Sequence, residues 1–350
     1  MVRNVTKGIP ENRPLKDHLF RLLGMLLLLA SFAAAWLVME FDSFRSGPLS
    51  TRSDEVSLLV RPGSSFKSVA SELHERGVLK HPTYLVLLAR WLEVDDDIKA
   101  GEYAFSAGIS PEQLLERLTE GQVLQYALTL IEGEPFRDMM QRIANAPVLE
   151  QTLSSQKGEV VMQAIGYPGL HPEGRFLPET YHYPRGTSDV DLLRRAFRDM
   201  EVYLDNEWTK RDTSTPLKTP YEALILASIV EKETGQATER PQIAGVFTRR
   251  LRKGMRLQTD PTVIYGIGEQ FDGDIRFRDL RKDTPYNTYT RGGLPPTPIA
   301  MPGKDAIRAA LHPAAGDSLY FVARGDGSHQ FSATLKAHNR AVDKYQRNKR

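Results

Sequence analysis

Eighteen consecutive residues without a charge, 22–39 (LLGMLLLLASFAAAWLVM), constrain this chain more than any other feature. At ~1.5 Å rise per residue they make about 27 Å of helix, close to the ~30 Å hydrocarbon core of a bilayer. Arg3, Lys7, Arg13, Lys16 and Arg21 precede the run, against Glu11 and Asp17, while Glu40 and Asp42 follow it. The asymmetry predicts a single-pass helix in the inner (cytoplasmic) membrane, with residues 1–21 cytoplasmic and everything beyond about residue 40 periplasmic. A cleavable signal is the rival, because the Ala33-Ala34-Ala35 stretch satisfies an A-x-A site. A signal's apolar region is usually ~7–15 residues, however, and this one continues through Trp36, Leu37, Val38 and Met39. A buried core helix would not explain the charge asymmetry.

The remaining chain is long enough for two folded units, at ~100–200 residues each. Its 350 residues are 41% hydrophobic and 26% charged, which excludes a disordered or collagen-like chain. Forty-six basic against forty-four acidic residues give a net charge of +2, so no large field for gripping nucleic acid exists. No Cys is present, which removes disulfides, Cys-ligated zinc, thiol nucleophiles and iron–sulfur chemistry together. Carboxylates, histidines, hydroxyls and aromatics are left to carry any chemistry.

Residues 42–54 (DSFRSGPLSTRSD) are polar and read as a juxtamembrane linker, so the linker is placed at 40–55. Residues 56–60 suggest a short strand. Ser64 or Ser65 can cap a helix carrying Phe66, Val69, Ala70 and Leu73, which Gly77 ends. A second helix over 82–91 is apolar on most sides and expected to be buried. Residues 101–105 (GEYAF) read as a strand, and Ser110-Pro111-Glu112-Gln113 is a strong helix start. The order strand–helix–helix–strand resembles a LysM-like module, a small fold that lays an N-acetylated glycan in a shallow groove. A packing or spacer subdomain fits the same pattern. Further strand is expected over 123–130 and helix over 139–156, while 206–219 reads as a loop. The expected class is α+β: a transmembrane helix, a LysM-like subdomain at 56–128 and a larger domain at 129–345.

The informative helix begins at Thr219-Pro220-Tyr221-Glu222, a capping box with Pro at the first helical position. The apolar run ALILASIV (223–230) follows, then Glu231-Lys232-Glu233-Thr234, and Gly235 reads as the residue just past the helix end. Glu231 lies four residues after Ala227 and three after Ser228, so it continues a stripe of apolar and small residues. Desolvation there, aided by the negative end of the helix dipole, would favour its protonated form, as a general acid requires. An ordinary charged helix terminus is the plainer reading. Downstream, an Arg-rich helix over 237–253 leads to 255–268 (MRLQTDPTVIYGIG) and the Pro/Gly-rich 283–303 (DTPYNTYTRGGLPPTPIAMPG). Loops of this composition are expected outside the core, and their tyrosines and amides suit packing on sugar rings and bonding to their substituents. A rigid surface loop without a ligand is the alternative.

At these blocks the sequence resembles the endolytic murein transglycosylase family, the YceG-like proteins. The matching segments are EGRFLPETY (173–181), LASIVEKET (226–234), MRLQTDPTVIYG (255–266), PYNTY (285–289) and GLPPTPIAMPG (293–303). Anchor, LysM-like segment and catalytic half fall in the family's order, over about residues 20–345. The resemblance implies cleavage of the β-1,4 bond between N-acetylmuramic acid and N-acetylglucosamine within peptidoglycan strands, leaving 1,6-anhydromuramoyl ends. It puts the catalytic carboxyl at Glu231. Arg175 and Leu177 stand where the family often has aromatic or apolar residues.

Gln258, Asp260, Tyr265, Asn287, Tyr289, Glu179 and Tyr181 are the candidates for orienting the glycan and Glu231. Asp260, before Pro261, could equally be a cap, or could position a water and make the enzyme a hydrolytic muramidase. The family suggests nascent glycan strands and peptidoglycan synthases as partners, and neither metal nor cofactor is expected. Ser64-x-x-Lys67 matches an acyl-transfer motif, but its partner motifs S-D-N and K-T-G are missing. No H-E-x-x-H, P-loop or G-x-G-x-x-G occurs, and His171 and His182 lack a diagnostic metal spacing. The non-enzymatic rival is a membrane-anchored peptidoglycan-binding or division-scaffold protein.

Overall fold

The computed structural model describes residues 13–49, 55–106 and 108–347, with side chains from His18 onward. Arg3, Lys7, Glu11 and residues 50–54 of the expected linker therefore lie outside the described residues, as do the side chains of Arg13, Lys16 and Asp17. The chain divides into two compact units between Leu124 and Gln125.

The first unit contains α1 (Arg13–Ser46), β1 (Glu55–Val60), α2 (Phe66–Glu75), α3 (Pro82–Trp91), β2 (Gly101–Ser106) and α4 (Pro111–Glu120). Over His18–Ser46, α1 has a mean hydropathy window of 2.4 and none of that window is buried, as a lipid-facing helix requires. The helix does not stop where the apolar run does, and this corrects the expected linker. It continues to Ser46 because Phe41 and Phe44 pack against the unit's core, their rings edge-on to Tyr84 at 6.4 and 5.5 Å.

The expected strand–helix–helix–strand order is present, with β1 antiparallel to β2 in register from Glu55↔Ser106 to Val60↔Gly101. Ser65 caps α2 through its hydroxyl, and the Ser110–Gln113 capping box of α4 is complete. Helix α3 spans the expected residues but is buried on one side only, through Leu85, Leu88 and Ala89. Gly101 has φ +151°, and a Cβ there would run into the Val123 side chain, so glycine is the residue that fits.

The second unit runs β3 (Gln125–Thr129), α5 (Phe136–Ala144), α6 (Gly158–Ile165), β4 (Thr180–Pro184), α7 (Asp189–Thr209), α8 (Pro220–Glu233), α9 (Arg240–Arg252), α10 (Asp260–Ile267), α11 (Phe277–Arg281), α12 (Lys304–Leu311), β5 (Tyr320–Ala323), β6 (His329–Ser332) and α13 (Leu335–Val342). The sheets are two-stranded and antiparallel, β3 with β4 and β5 with β6. Because β3 pairs with β4, the unit begins four residues before the expected boundary at 129. The helix expected over 139–156 ends at Ala144. Pro147 disfavours helix at the residue before it, and Val148 takes φ +54°.

Helix α8 organises this unit. Every residue from Ala223 to Val230 is buried, with α7, α9, α10 and α12 packed around it, so an apolar sequence without a polar stripe becomes a central helix. Thr219 caps Glu222 N–H, but the Glu222 carboxylate accepts from Lys218 N–H, so only half of the expected capping box forms. Thr234 is the C-cap in extended conformation, and Gly235 follows it outside the helix.

The Pro/Gly-rich 283–303 segment departs most from expectation. Its last part, residues 297–303, is buried against α8 rather than exposed. Irregular backbone can be buried only if its polar groups find partners, and here they do. Ile299 N–H donates to Ser228 Oγ at 3.0 Å, Met301 N–H to the Glu134 carbonyl at 2.8 Å, and Gly303 N–H to Glu231.

Candidate active site

The buried run of α8 emerges at residues 231–233, and its three charged side chains enter three different surroundings. Glu231, with only 5% of its side chain exposed, accepts from the Arg240 guanidinium at Oε1 (2.9 Å) and from Gly303 N–H at Oε2 (2.9 Å). The apolar setting inferred from the helix spacing is thus incomplete. Residues 9 and 72 positions further along the chain supply two donors, one of them a cation. A Cβ at Gly303 would displace the Glu132 carboxyl, the flexible end of a half-exposed side chain.

Arg240, at the start of α9, faces three carboxylates: Glu231 at 2.9 Å, Asp305 at 3.6 Å and Glu132 at 3.8 Å. Glu132 is held above the usual carboxylate range, first by burial and then by the charge on Glu231, against the pull of Arg240. Glu179, a sequence candidate, flanks this group through an ion pair with Lys304 at 2.5 Å.

Lys232 leads to a cleft of about 1080 Å³, which it lines together with Phe136, Glu173, Tyr265, Phe271 and Tyr286. Glu173 is the buried acid of this cleft. It accepts from Phe136 N–H (2.9 Å) and from the Tyr265 hydroxyl (2.9 Å), yet no cation among the described residues is paired with it, and burial raises its pKa from 4.5 to about 7. Tyr265, stacked edge-on against Tyr286 at 4.8 Å, is the one expected orienting residue that lines this cleft.

Glu233 points elsewhere. It accepts from the Thr259 hydroxyl and lines a smaller cavity of about 420 Å³ with Gln258, Asp260, Tyr289 and His329. Burial, with the Asp260 charge adding to it, pushes Glu233 up to about 7. The Tyr289 hydroxyl donates to Asp260 Oδ1 at 2.6 Å, and Gln258 adopts φ +52°, a backbone conformation rarely taken by non-glycine residues.

Two candidates serve the framework instead. Asn287 is fully buried; its amide nitrogen donates to the carbonyls of Asp279, Leu280 and Lys282, and its oxygen accepts from Tyr289 N–H. With both ends engaged it shapes the loop. Tyr181 is buried on β4, its hydroxyl bonded to the Leu177 carbonyl at 2.9 Å and its ring under Arg195. Arg175, at a position often aromatic or apolar in the family, stacks its guanidinium over Tyr221 at 4.5 Å.

Glu132, Glu173, Glu233 and Arg240 went unassigned in the sequence. Glu173 and Glu233 sit inside the motif blocks, so the blocks were the available signal. Nothing local marks Arg240 as the partner of Glu231.

The YceG-like family model matches residues 58–344. The endolytic murein transglycosylase of Bacillus subtilis is 32% identical over 308 residues, covering 83% of this chain and 84% of that protein. The protein of the same name from Streptococcus pneumoniae is 28% identical over 320 residues, and the match spans 58% of its length. The crystal structure of a yceG-like protein from Listeria monocytogenes aligns with a TM-score of 0.50 at 30% identity, covering 82% of this chain and 99% of that one. With the family's blocks gathered around the end of α8 and a match over most of its length, this chain belongs to the YceG-like family.

Proposed function

We propose that this protein is an endolytic lytic transglycosylase of peptidoglycan. It cuts the β-1,4 bond between N-acetylmuramic acid and N-acetylglucosamine and leaves 1,6-anhydromuramoyl ends. The observation that carries the reading is Glu231, a nearly buried carboxyl at the emerging end of a core helix, held by the Arg240 guanidinium and the Gly303 backbone N–H. The names of the Bacillus and Streptococcus relatives support the substrate class.

In the first step Glu231 donates a proton to the glycosidic oxygen as the bond to the muramoyl C1 breaks, and the N-acetyl oxygen of the same sugar traps the oxocarbenium-like centre. In the second, the C6 hydroxyl attacks C1 and gives its proton to the Glu231 carboxylate, closing the anhydro ring. One carboxyl suffices, as in substrate-assisted glycosidases, and the intramolecular hydroxyl has a proximity advantage over water. A proton on Oε1 conflicts with the N–H that Arg240 aims there. Arg240 therefore moves toward Asp305 and Glu132 for the first step and returns for the second, when its charge favours the carboxylate.

The glycan lies along the cleft walled by Tyr265, Tyr286 and Phe271, whose rings suit pyranose faces, and the scissile bond extends past Lys232 to the neighbouring Glu231, which does not itself line that cleft. Asp260 lines the separate cavity and is engaged by Tyr289, which disfavours it as a water-activating base. The apolar α1 anchors the chain with its catalytic unit outside the cytoplasm, where nascent strands and their synthases are met, and the LysM-like unit adds a glycan contact.

Glu231→Gln in digests of purified sacculi tests the assignment: anhydro muropeptides, seen by mass spectrometry for the wild type, disappear while folding is retained. Activity in the variant refutes the role of Glu231. A predominance of reducing muramic acid refutes the lytic outcome, and binding without any cleavage by the wild type points to a scaffold.

A further inference from the structure

The exposed face of α3 is unexplained by the fold. Leu87 is 48% and Trp91 62% exposed, although both belong to a helix whose other side forms the core. They line a groove of about 550 Å³ whose opposite wall is α1, through Val38, Met39, Phe41 and Arg45. The groove thus joins the last turn of the apolar run to the first folded unit.

The height of the groove can be read along α1. The Trp91 ring lies 6.4 Å from that of Phe41, edge-on, and 5.7 Å from the Arg45 guanidinium. Phe41 and Arg45 are two and six residues past Met39, so the indole sits about 3–9 Å beyond the end of the apolar run at ~1.5 Å per residue. The interfacial layer of a bilayer, roughly 5–8 Å on each side of the ~30 Å core, occupies that height. Trp and Tyr concentrate in this layer because their rings have an apolar body and a polar edge. Tyr84, one helical face with Leu88 and Trp91, completes an aromatic group with Phe41 and Phe44.

We propose that α3 is a membrane-docking surface: Leu87 and Trp91 insert into the outer interfacial layer of the bilayer that α1 spans, seating the first unit on the lipid. The inference rests on the reading of α1 as a membrane anchor. Continuity of the groove with that helix commits the occupant to lipid, and the packing of the half-buried Phe41 and Phe44 against the unit's core keeps α3 from swinging away.

The sequence supplies the probes. Trp36, Trp91 and Trp208 are its only tryptophans, and it has no Cys. Full-length single-Trp proteins, made by Phe replacement, are placed in nanodiscs of lipids brominated near the headgroup end or near the methyl end. Trp36 reports the anchor and Trp91 the docking. Trp91 is expected to emit at short wavelength and to be quenched at least twofold more by the shallow bromines than by the deep ones. A spin label at Leu87→Cys, which leaves the tryptophans untouched, is expected to be more accessible to oxygen than to a water-soluble nickel chelate.

If Trp36 is quenched while Trp91 emits as a water-exposed indole and the label favours the nickel chelate, docking is wrong and the anchor stands. If neither tryptophan is quenched, the anchor reading falls and docking with it. Spin–spin broadening between labels at position 87, without lipid quenching of Trp91, would assign the groove to a second copy and overturn the proposal.

Discussion

Glu231 and Glu233 are separated by one residue, yet they end in opposite electrostatic settings. Glu231 meets a guanidinium and a backbone N–H. Glu233 meets the Thr259 hydroxyl and the negative charge of Asp260, with the Arg250 and His329 charges only minor counterweights, and is pushed up to about 7. Glu173, across the large cleft, follows the Glu233 pattern. Burial at the end of one helix therefore does not determine what a carboxyl does; the partner brought from elsewhere in the chain does. In the proposed reaction the acid with a displaceable cation handles the proton twice, whereas the two acids without a close cation are held in place by hydroxyl and amide donors.

Glu231→Gln is the largest expected break in that contrast. Loss of a general acid costs about 10²–10⁴-fold in rate, so anhydro product from sacculi falls by that factor while circular dichroism is unchanged. Arg240→Met comes next and sharpens the comparison by making Glu231 resemble Glu173. Removing one partner of a buried pair costs about 3–5 kcal/mol. The loss in denaturant melts is expected to be larger at pH 8 than at pH 5, because Glu132, already raised by burial, loses the cation that opposes that rise.

The reverse test concerns Glu173 and Glu233. Their folded pKa of about 7 lies above the ordinary 4.5, so the unfolded chain gives up these protons first. As pH rises from about 4.5 to 7 the native state holds more protons than the unfolded one, and stability falls, by on the order of 3 kcal/mol for each group. Glu173→Gln should flatten the decline of Tm between pH 5 and 8 and raise Tm at pH 8; an unchanged slope would show that this carboxyl is ionised throughout. The smallest effect is expected from Asn287→Ala, which strands three backbone carbonyls and destabilises the protein by about 2–3 kcal/mol. A rise in KM without any loss of stability would return Asn287 to the ligand-binding group.

Where local chemistry governs, the sequence was sufficient. Ser65, Ser110, Thr219 and Pro220 mark helix starts that depend on neighbouring backbone groups, and all three of those helices form. The apolar run of α8 was legible as a helix, while its burial on every side emerged only with the packing of its neighbours. Reading fails where a long-range partner overrides local preference. Phe41 and Phe44 extend α1 through a polar stretch because a core waits for them. A Pro/Gly-rich segment that composition assigns to the surface is buried because Ser228, Glu134 and Glu231 accept its N–H groups.

By itself the sequence determined the apolar helix, the strand–helix–helix–strand order of the first unit, and the helix that presents Glu231, since each rests on periodicity and capping within a few residues. The tertiary structure alone decided that Arg240 and Gly303 hold that carboxyl, that Tyr265 turns to Glu173 while Tyr289 turns to Asp260, and that Asn287 closes a loop. Electrostatic environment is set by groups within a few ångströms in space, and here those groups come from 9 to 92 residues away along the chain.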